Sequence, residues 1–246
     1  MGLRPVMVNI KAVDHAAVGR FWAAALGWNV SGGGAGATAV MPDGFDWLDP
    51  VGVCLDVIAV PEAGPAVKNR VHVDLATASP THQAELVARL RALGATPVDI
   101  GQGDVPWTVL ADPEGNVFCV LEPRERYRDT GPIAAVVVDC ADPRAMARFW
   151  GGALEWPPHE VTDDGASLRS ADRSGPYLEF LRVPDTGPAP DRVHLDLVPR
   201  PGDDKDAEVT RLRTLGAADL AIGQGDVPWT CLTDLEGHAF CVLARP

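Results

Sequence analysis

Nine residues, IGQGDVPWT, stand at Ile100–Thr108 and again, letter for letter, at Ile222–Thr230. Around them, Arg70–Pro123 aligns with Arg192–Arg245 without a gap, with 29 identities in 54 columns. RVHVDL faces RVHLDL, RLRALGA faces RLRTLGA, and LADPEGNVFCVL faces LTDLEGHAFCVL. Upstream, GRFWAAALGW (19–28) faces ARFWGGALEW (147–156). A repeat of this length constrains the fold more than any composition does, because each copy must adopt the same local structure. The chain divides into two homologous halves, 1–124 and 131–246, joined by the polar link RERYRDTG (124–131). Each half is long enough to bury a core of its own.

Each half divides again. PVMVNIKAV alternates as a strand, and DHAAVGRFWAAALG opens on Asp, carries apolar residues at helical spacing and closes on Gly. WNVS, ATAVMP and GVCLDVIAV are three short strands. The order then restarts: RVHVDL as a strand, SPTHQAELVARLRALG as a helix, then TPVDI, WTVLAD and NVFCVL, the last two joined by the turn DPEG. The predicted class is α+β, with four βαβββ modules in the chain.

Charge and cysteine usage exclude some roles. A net charge of −13 opposes binding to nucleic acid or to an anionic membrane, both of which need clustered Lys and Arg. The N-terminal MGLRPVMVNIKAVDH has neither the pattern of a signal peptide nor a membrane span, and the five cysteines lack CxxC spacing. They read as reduced thiols of a cytoplasmic protein, with Cys231 and Cys241 as two buried thiols facing each other across the TDLEG turn.

The order of FW…LGW at the end of the first helix, RVHxDL, RLRxLGA and DPEGN resembles the vicinal-oxygen-chelate superfamily of glyoxalase, bleomycin-resistance proteins and extradiol dioxygenases. The likeness is nearest to the glyoxalase-like domains of actinobacteria and covers the whole chain twice. It implies two tandem domains, 1–124 and 131–246, each a pair of βαβββ modules curling around a cleft. Duplication within one chain supplies the pairing that single-domain relatives obtain by dimerising, which favours a monomer over a homodimer.

The resemblance also implies metal ligands on the first and last strands of each module. Those places carry Met7, Asp56, His72 and Cys119 in the first half and Ala135, Glu179, His194 and Cys241 in the second. The metal candidates are thus Asp56, His72, Cys119, Glu179, His194 and Cys241. A His, Cys and carboxylate set suits zinc, with manganese a poorer match, but two of four expected ligands are lost in each half. The expectation is no cofactor, with a divalent metal as the alternative.

Strand alternation puts Arg70, His72 and Asp74 on one face of RVHVDL, and Arg192, His194 and Asp196 on the matching face of the second copy. They serve either as a structural ladder or as a polar anchor for a ligand, with His72 and His194 as candidate general acids or bases. In the repeated nine residues, Gly101 and Gly103 permit positive φ and Pro106 breaks a ladder. Gln102, Asp104 and Trp107, with Gln224, Asp226 and Trp229, form the surface part, and either Trp is a plug or a stacking wall. Trp47, where the first half is longer, is a lid or an exposed loop. The leading expectation is a cleft that binds an apolar or aromatic small molecule without a full metal site. The alternatives are a metal-dependent lyase, isomerase or dioxygenase, and an interaction protein with filled clefts.

Overall fold

The computed structural model describes residues 2–32, 34, 36–47, 52–62, 68–184, 192–221, 225 and 227–244. The first half runs β1 (Leu3–Ala12), α1 (His15–Leu26), β2 (Asn29–Gly32), β3 (Ala37–Met41), β4 (Cys54–Ala59), β5 (Val71–Leu75), α2 (Pro80–Ala92), β6 (Thr96–Pro97), β7 (Thr108–Ala111) and β8 (Val117–Val120). The second runs β9 (Ile133–Cys140), α3 (Pro143–Leu154), β10 (Pro158–Val161), β11 (Gly165–Leu168), β12 (Tyr177–Arg182), β13 (Val193–Pro199), α4 (Lys205–Leu215), β14 (Ala218–Asp219), β15 (Thr230–Thr233) and β16 (Ala239–Val242). The α+β class and the four βαβββ modules are as expected. Side chains at the helix starts explain where the helices begin: Asp14, Ser79, Asp142 and Asp204 each accept a bond from a backbone N–H three residues on. No helix among the described residues is long and apolar enough to cross a membrane.

The modules pair differently from the expectation. One sheet has the order β14-β15-β16-β13-β1-β4-β3-β2, the other β10-β11-β12-β9-β5-β8-β7-β6. Sheet one therefore joins the first module to the fourth, and sheet two joins the second to the third. The central seams are antiparallel, β1 on β13 and β5 on β9. Two modules of one half do not share an inner sheet face. The reason is that homologous first strands offer the same edge to either partner, so the connections choose between them. The short link after β8 delivers β9 beside β5.

What holds two modules of a half together is the set of motifs on the helix side. The Trp22 indole N–H donates to Asp112 at 3.1 Å, and Trp150 donates to Asp234 at 3.1 Å. The Glu114 carboxylate accepts from the N–H groups of Val13 and Asp14, and Glu236 from those of Ala141 and Asp142. FW and D-x-E-G are thus two parts of one staple. One continuous apolar core, including Val8, Leu55, Val73, Leu75, Val136, Leu195, Phe118 and Phe240, joins the helix-bearing faces of both sheets.

Candidate functional site

Because Val8, Ile10, Leu55, Val57, Leu195 and Leu197 belong to the helix-side core, alternation turns their neighbours to the opposite, inner face. On sheet one, Asn9 lies opposite His194 of β13 and opposite Asp56 of β4. The next row runs Cys231, Cys241, Asp196, Met7 and Cys54. On sheet two the equivalent rows are His72, Val137 and Glu179, then Val109, Cys119, Asp74, Ala135 and Tyr177. This corrects the grouping of metal candidates by half. Asp56 is on the sheet of His194 and Cys241, and Glu179 on that of His72 and Cys119, since the sheets are built across the halves.

The two inner faces have different occupants. On sheet two, Val109, Cys119, Ala135, Val137, Tyr127 and Tyr177 form a closed apolar cluster with Trp107 packed against it. Tyr127 comes from the link, whose residues Glu125–Tyr127 form one 3₁₀ turn. Its hydroxyl donates to Glu179 at 2.9 Å, Arg126 meets the same carboxylate at 2.9 Å, and Arg124 lies 5.7 Å over the Trp107 ring. The polar link is a plug. Tyr127→Ala is expected to cost about 3 kcal/mol, as for other large-to-small core changes, and to expose His72, read as a lower urea midpoint and faster diethylpyrocarbonate modification.

On sheet one, Val6, Met7, Cys54 and Val198 make an apolar end, covered by Met41, Phe45, Trp47 and Leu243. Phe45 and Trp47 meet edge to face, and Arg4 holds the carbonyl of Trp47. Trp47 is therefore a lid rather than a free loop. Beyond this end the face is polar. Asn9 is 1% exposed, yet among the described residues neither its Nδ2 nor its Oδ1 has a partner, and His194 Nδ1 and Asp196 Oδ1 are also unpaired. A buried amide left in that state costs about 1–3 kcal/mol. Sheet two has Val137 in place of the amide, while among the described residues His72 Nδ1 and Asp74 Oδ1 are unpaired there as their counterparts are on sheet one.

The other expected site residues are placed as follows. Arg70 donates to the carbonyls of Glu236 and Gly237, and Arg192 to those of Glu114 and Lys11, so both arginines brace turns across the halves. Gln102 accepts from Ile100 N–H within its own loop, and Asp104 is exposed. Gly101 and Gly103 do take positive φ, 79° and 67°. Trp229 is 38% exposed. Gln224 and Asp226 lie outside the described residues. All five cysteines are buried thiols, with Cys231 and Cys241 Sγ 3.4 Å apart.

Each His–Asp pair is a contact, not a hydrogen bond: His72 to Asp74 at 3.6 Å and His194 to Asp196 at 3.4 Å. Burial, with the Lys68 charge, pushes His72 down to about 3, while burial and the Glu179 carboxylate push Asp74 up to about 7. The signs oppose. As pH falls below the ordinary His value, the unfolded chain takes a proton that His72 refuses, and the native state loses about 1.4 kcal/mol per unit. Over the same range Asp74 takes a proton that unfolded Asp refuses, a contribution lost again as pH rises through about 7. In wild type the two largely cancel between about pH 6.5 and 4. In His72→Gln the Asp74 effect stands alone, and acidification from pH 7 to 5 is expected to stabilise the variant by about 2 kcal/mol relative to wild type, read from urea midpoints. An unchanged difference between the two pH values would sink this reading.

The fold is matched by comparison with known proteins. The profile of the glyoxalase-like domain matches residues 7–121 and, a second time, 135–243. The chain belongs to the glyoxalase-like domain family. Glyoxalase I from Zea mays superposes with a TM-score of 0.67 at 12% identity, covering 99% of this chain and 93% of that one. A candidate dioxygenase from Bacillus subtilis superposes with a TM-score of 0.61 at 12% identity, covering 99% and 85%. At these identities the likeness speaks for the fold alone. No curated protein matches the chain in sequence.

Each inner face carries one candidate donor set for a metal ion. His72, Asp74 and Cys119 on sheet two, and His194, Asp196 and Cys241 on sheet one, each bring N, O and S atoms within 4.8 Å of one another. Such a mixed set fits zinc and not magnesium. Burial raises both thiols well above the ordinary cysteine value, so an ion would have to displace their protons.

Sequence reasoning missed Asn9, Tyr127, Tyr177 and Arg126. Asn9 stands two residues from Met7, so the alternation that placed Met7 on the inner face places Asn9 there too. The chain has only two tyrosines, and both fill sheet two; nothing local in RERYRDTG signals that.

Proposed function

We propose that this protein binds an apolar or aromatic small molecule with a polar group on the inner face of sheet one, without requiring a metal. The observation that carries this reading is the buried, unpartnered Asn9 amide between His194 and Asp56. An amide so placed has two donors and an acceptor to offer a ligand, and the lid of Phe45 and Trp47 gives the ligand an apolar wall. His194 lends a ring nitrogen, Nδ1, that has no partner among the described residues. Sheet two, plugged by its own link, is the filled cleft of the alternative reading.

Asn9→Val, which copies sheet two, tests the proposal. In the ligand-free protein it is expected to be neutral or stabilising, by up to about 1–3 kcal/mol. A fragment library of aromatic acids, phenols and amides, followed by tryptophan emission, should give hits that Asn9→Val loses and Tyr127→Ala keeps. Hits that survive Asn9→Val unchanged would place the site elsewhere.

The second reading is a metal-assisted lyase, isomerase or dioxygenase, favoured by the two His–Asp–Cys triplets. There His194, Asp196 and Cys241 would hold the ion, which would supply Lewis-acid polarisation of a bound oxygen. His194 alone could serve as the acid or base of a metal-free reaction. Elemental analysis of protein purified without chelator or affinity-tag metal separates the readings. One equivalent of zinc, lost in His194→Ala, would move the assignment to the metal-assisted class.

A further inference from the structure

A different cavity lies on the helix side of the first half. It opens between the end of α1, the first turns of α2, the chain after β5 and the link, with a volume of about 540 Å³. That size is ordinary for a small-molecule site. Its floor includes Leu26, Leu75 and Leu86, and its rim carries Arg89, Arg124 and Arg128.

Comparison of the two halves shows what this cavity lacks. In the second half Glu208 stands where Leu86 stands, and Arg200 where Ala78 stands. Glu208 is 1% exposed, and one of its oxygens accepts from Arg211 Nε at 2.9 Å and Nη2 at 2.6 Å. Arg211 also donates to the carbonyls of Gly152 and Ala153 at the end of α3. Arg89, its counterpart, makes the same pair of bonds, to the carbonyls of Ala24 and Ala25 at the end of α1. Among the described residues Arg89 has no carboxylate partner. The first half thus keeps the guanidinium and the helix end, lacks the acid, and has space beside them.

We infer that this cavity binds a small amphipathic carboxylate, its head on Arg89 in the role that Glu208 plays in the other half and its tail against Leu26, Leu75 and Leu86. The guanidinium fork of Arg89 suits a planar carboxylate. Arg124 and Arg128 are paired with Glu122 and Glu125, the latter also lining the cavity, so Arg89 is the main contact. The site is separate from the inner face of sheet one and does not depend on what binds there.

Sodium decanoate is the probe and decan-1-ol the neutral control, titrated into ¹⁵N-labelled full-length protein while the Arg89 Nε–H signal is followed; Arg89→Lys identifies that signal by removing it. Decanoate is expected to shift it with saturation, and decanol to bind at least 10-fold more weakly. Leu86→Glu restores the internal acid and should weaken decanoate binding at least 10-fold while raising Tm. If Leu86→Glu does not fold, Arg89→Lys, which keeps the charge and loses the fork, should still weaken binding several-fold by calorimetry. No shift at millimolar decanoate, equal binding of decanol, or full affinity in a folded Leu86→Glu protein overturns the inference.

Discussion

Produced as separate polypeptides, residues 1–124 and 131–246 are expected not to give two folded monomers. The strand order requires this. In 1–124 the inner edges of β1 and β5 would lose their partners β13 and β9, and the same seams would be open in 131–246. Each seam is a central, largely buried pairing: every residue of β9 is buried, as are nine of the ten in β1. Leaving such strands as edges exposes both unpaired backbone groups and the shared apolar core. Against a total stability of about 5–15 kcal/mol, that loss is decisive. Size-exclusion chromatography should show each half as self-associated or aggregated. An equimolar mixture, refolded together, should elute as one heterodimer with a cooperative melt. Two monomeric halves that melt cooperatively on their own would contradict the strand order described here.

Trp22→Ala should be the most damaging single substitution on the helix side. Trp22 is 1% exposed, packs edge to face on Phe21 and Phe118, and holds the buried Asp112 through its indole N–H. Loss of the ring costs about 3–5 kcal/mol as a cavity, and the orphaned carboxylate adds about 1–3 kcal/mol. Asp112 still accepts from the N–H groups of Glu114 and Asn116 and from the Asn116 amide, which keeps the second figure near its lower end. Trp22→Phe separates the two contributions, since it retains most of the apolar contact and removes the donor. Guanidinium midpoints of wild type, Trp22→Phe and Trp22→Ala should fall in that order. Trp150→Ala should behave alike through Phe149, Phe240 and Asp234, although there the His238 ring also holds Asp234. Equal midpoints for Trp22→Phe and wild type would mean that the indole bond contributes nothing.

Much of this architecture could be read from residues alone. The Asp that opens DHAAVGRFWAAALG caps the first helix, and Gly101 and Gly103 take the positive φ that their loop permits. Alternation in RVHVDL put His72 and Asp74 on one face and Val71, Val73 and Leu75 in the core, as observed. The site was less legible. Gln102 looked like a surface contact but closes its own loop, because an amide two residues from a free N–H is satisfied locally first. Arg70 and Arg192 could be read as a structural ladder or as ligand anchors, and they reach backbone carbonyls of the other half, contacts that no spacing along the chain encodes.

What the sequence determined by itself was the local structure and its fourfold repetition, since helix caps, strand alternation and turns depend on residues a few places apart. Which module pairs with which was left to the tertiary structure. The four modules present nearly the same edges, so the preference lies in how the connections let them meet, and β1 found β13 while β5 found β9. The unequal fates of the two inner faces follow from the same cause. The link after β8 passes over sheet two and seats Tyr127 and Arg126 there, while the lid of Phe45 and Trp47 covers only the apolar end of sheet one and leaves the Asn9 amide, which sheet two replaces with Val137, without a partner among the described residues.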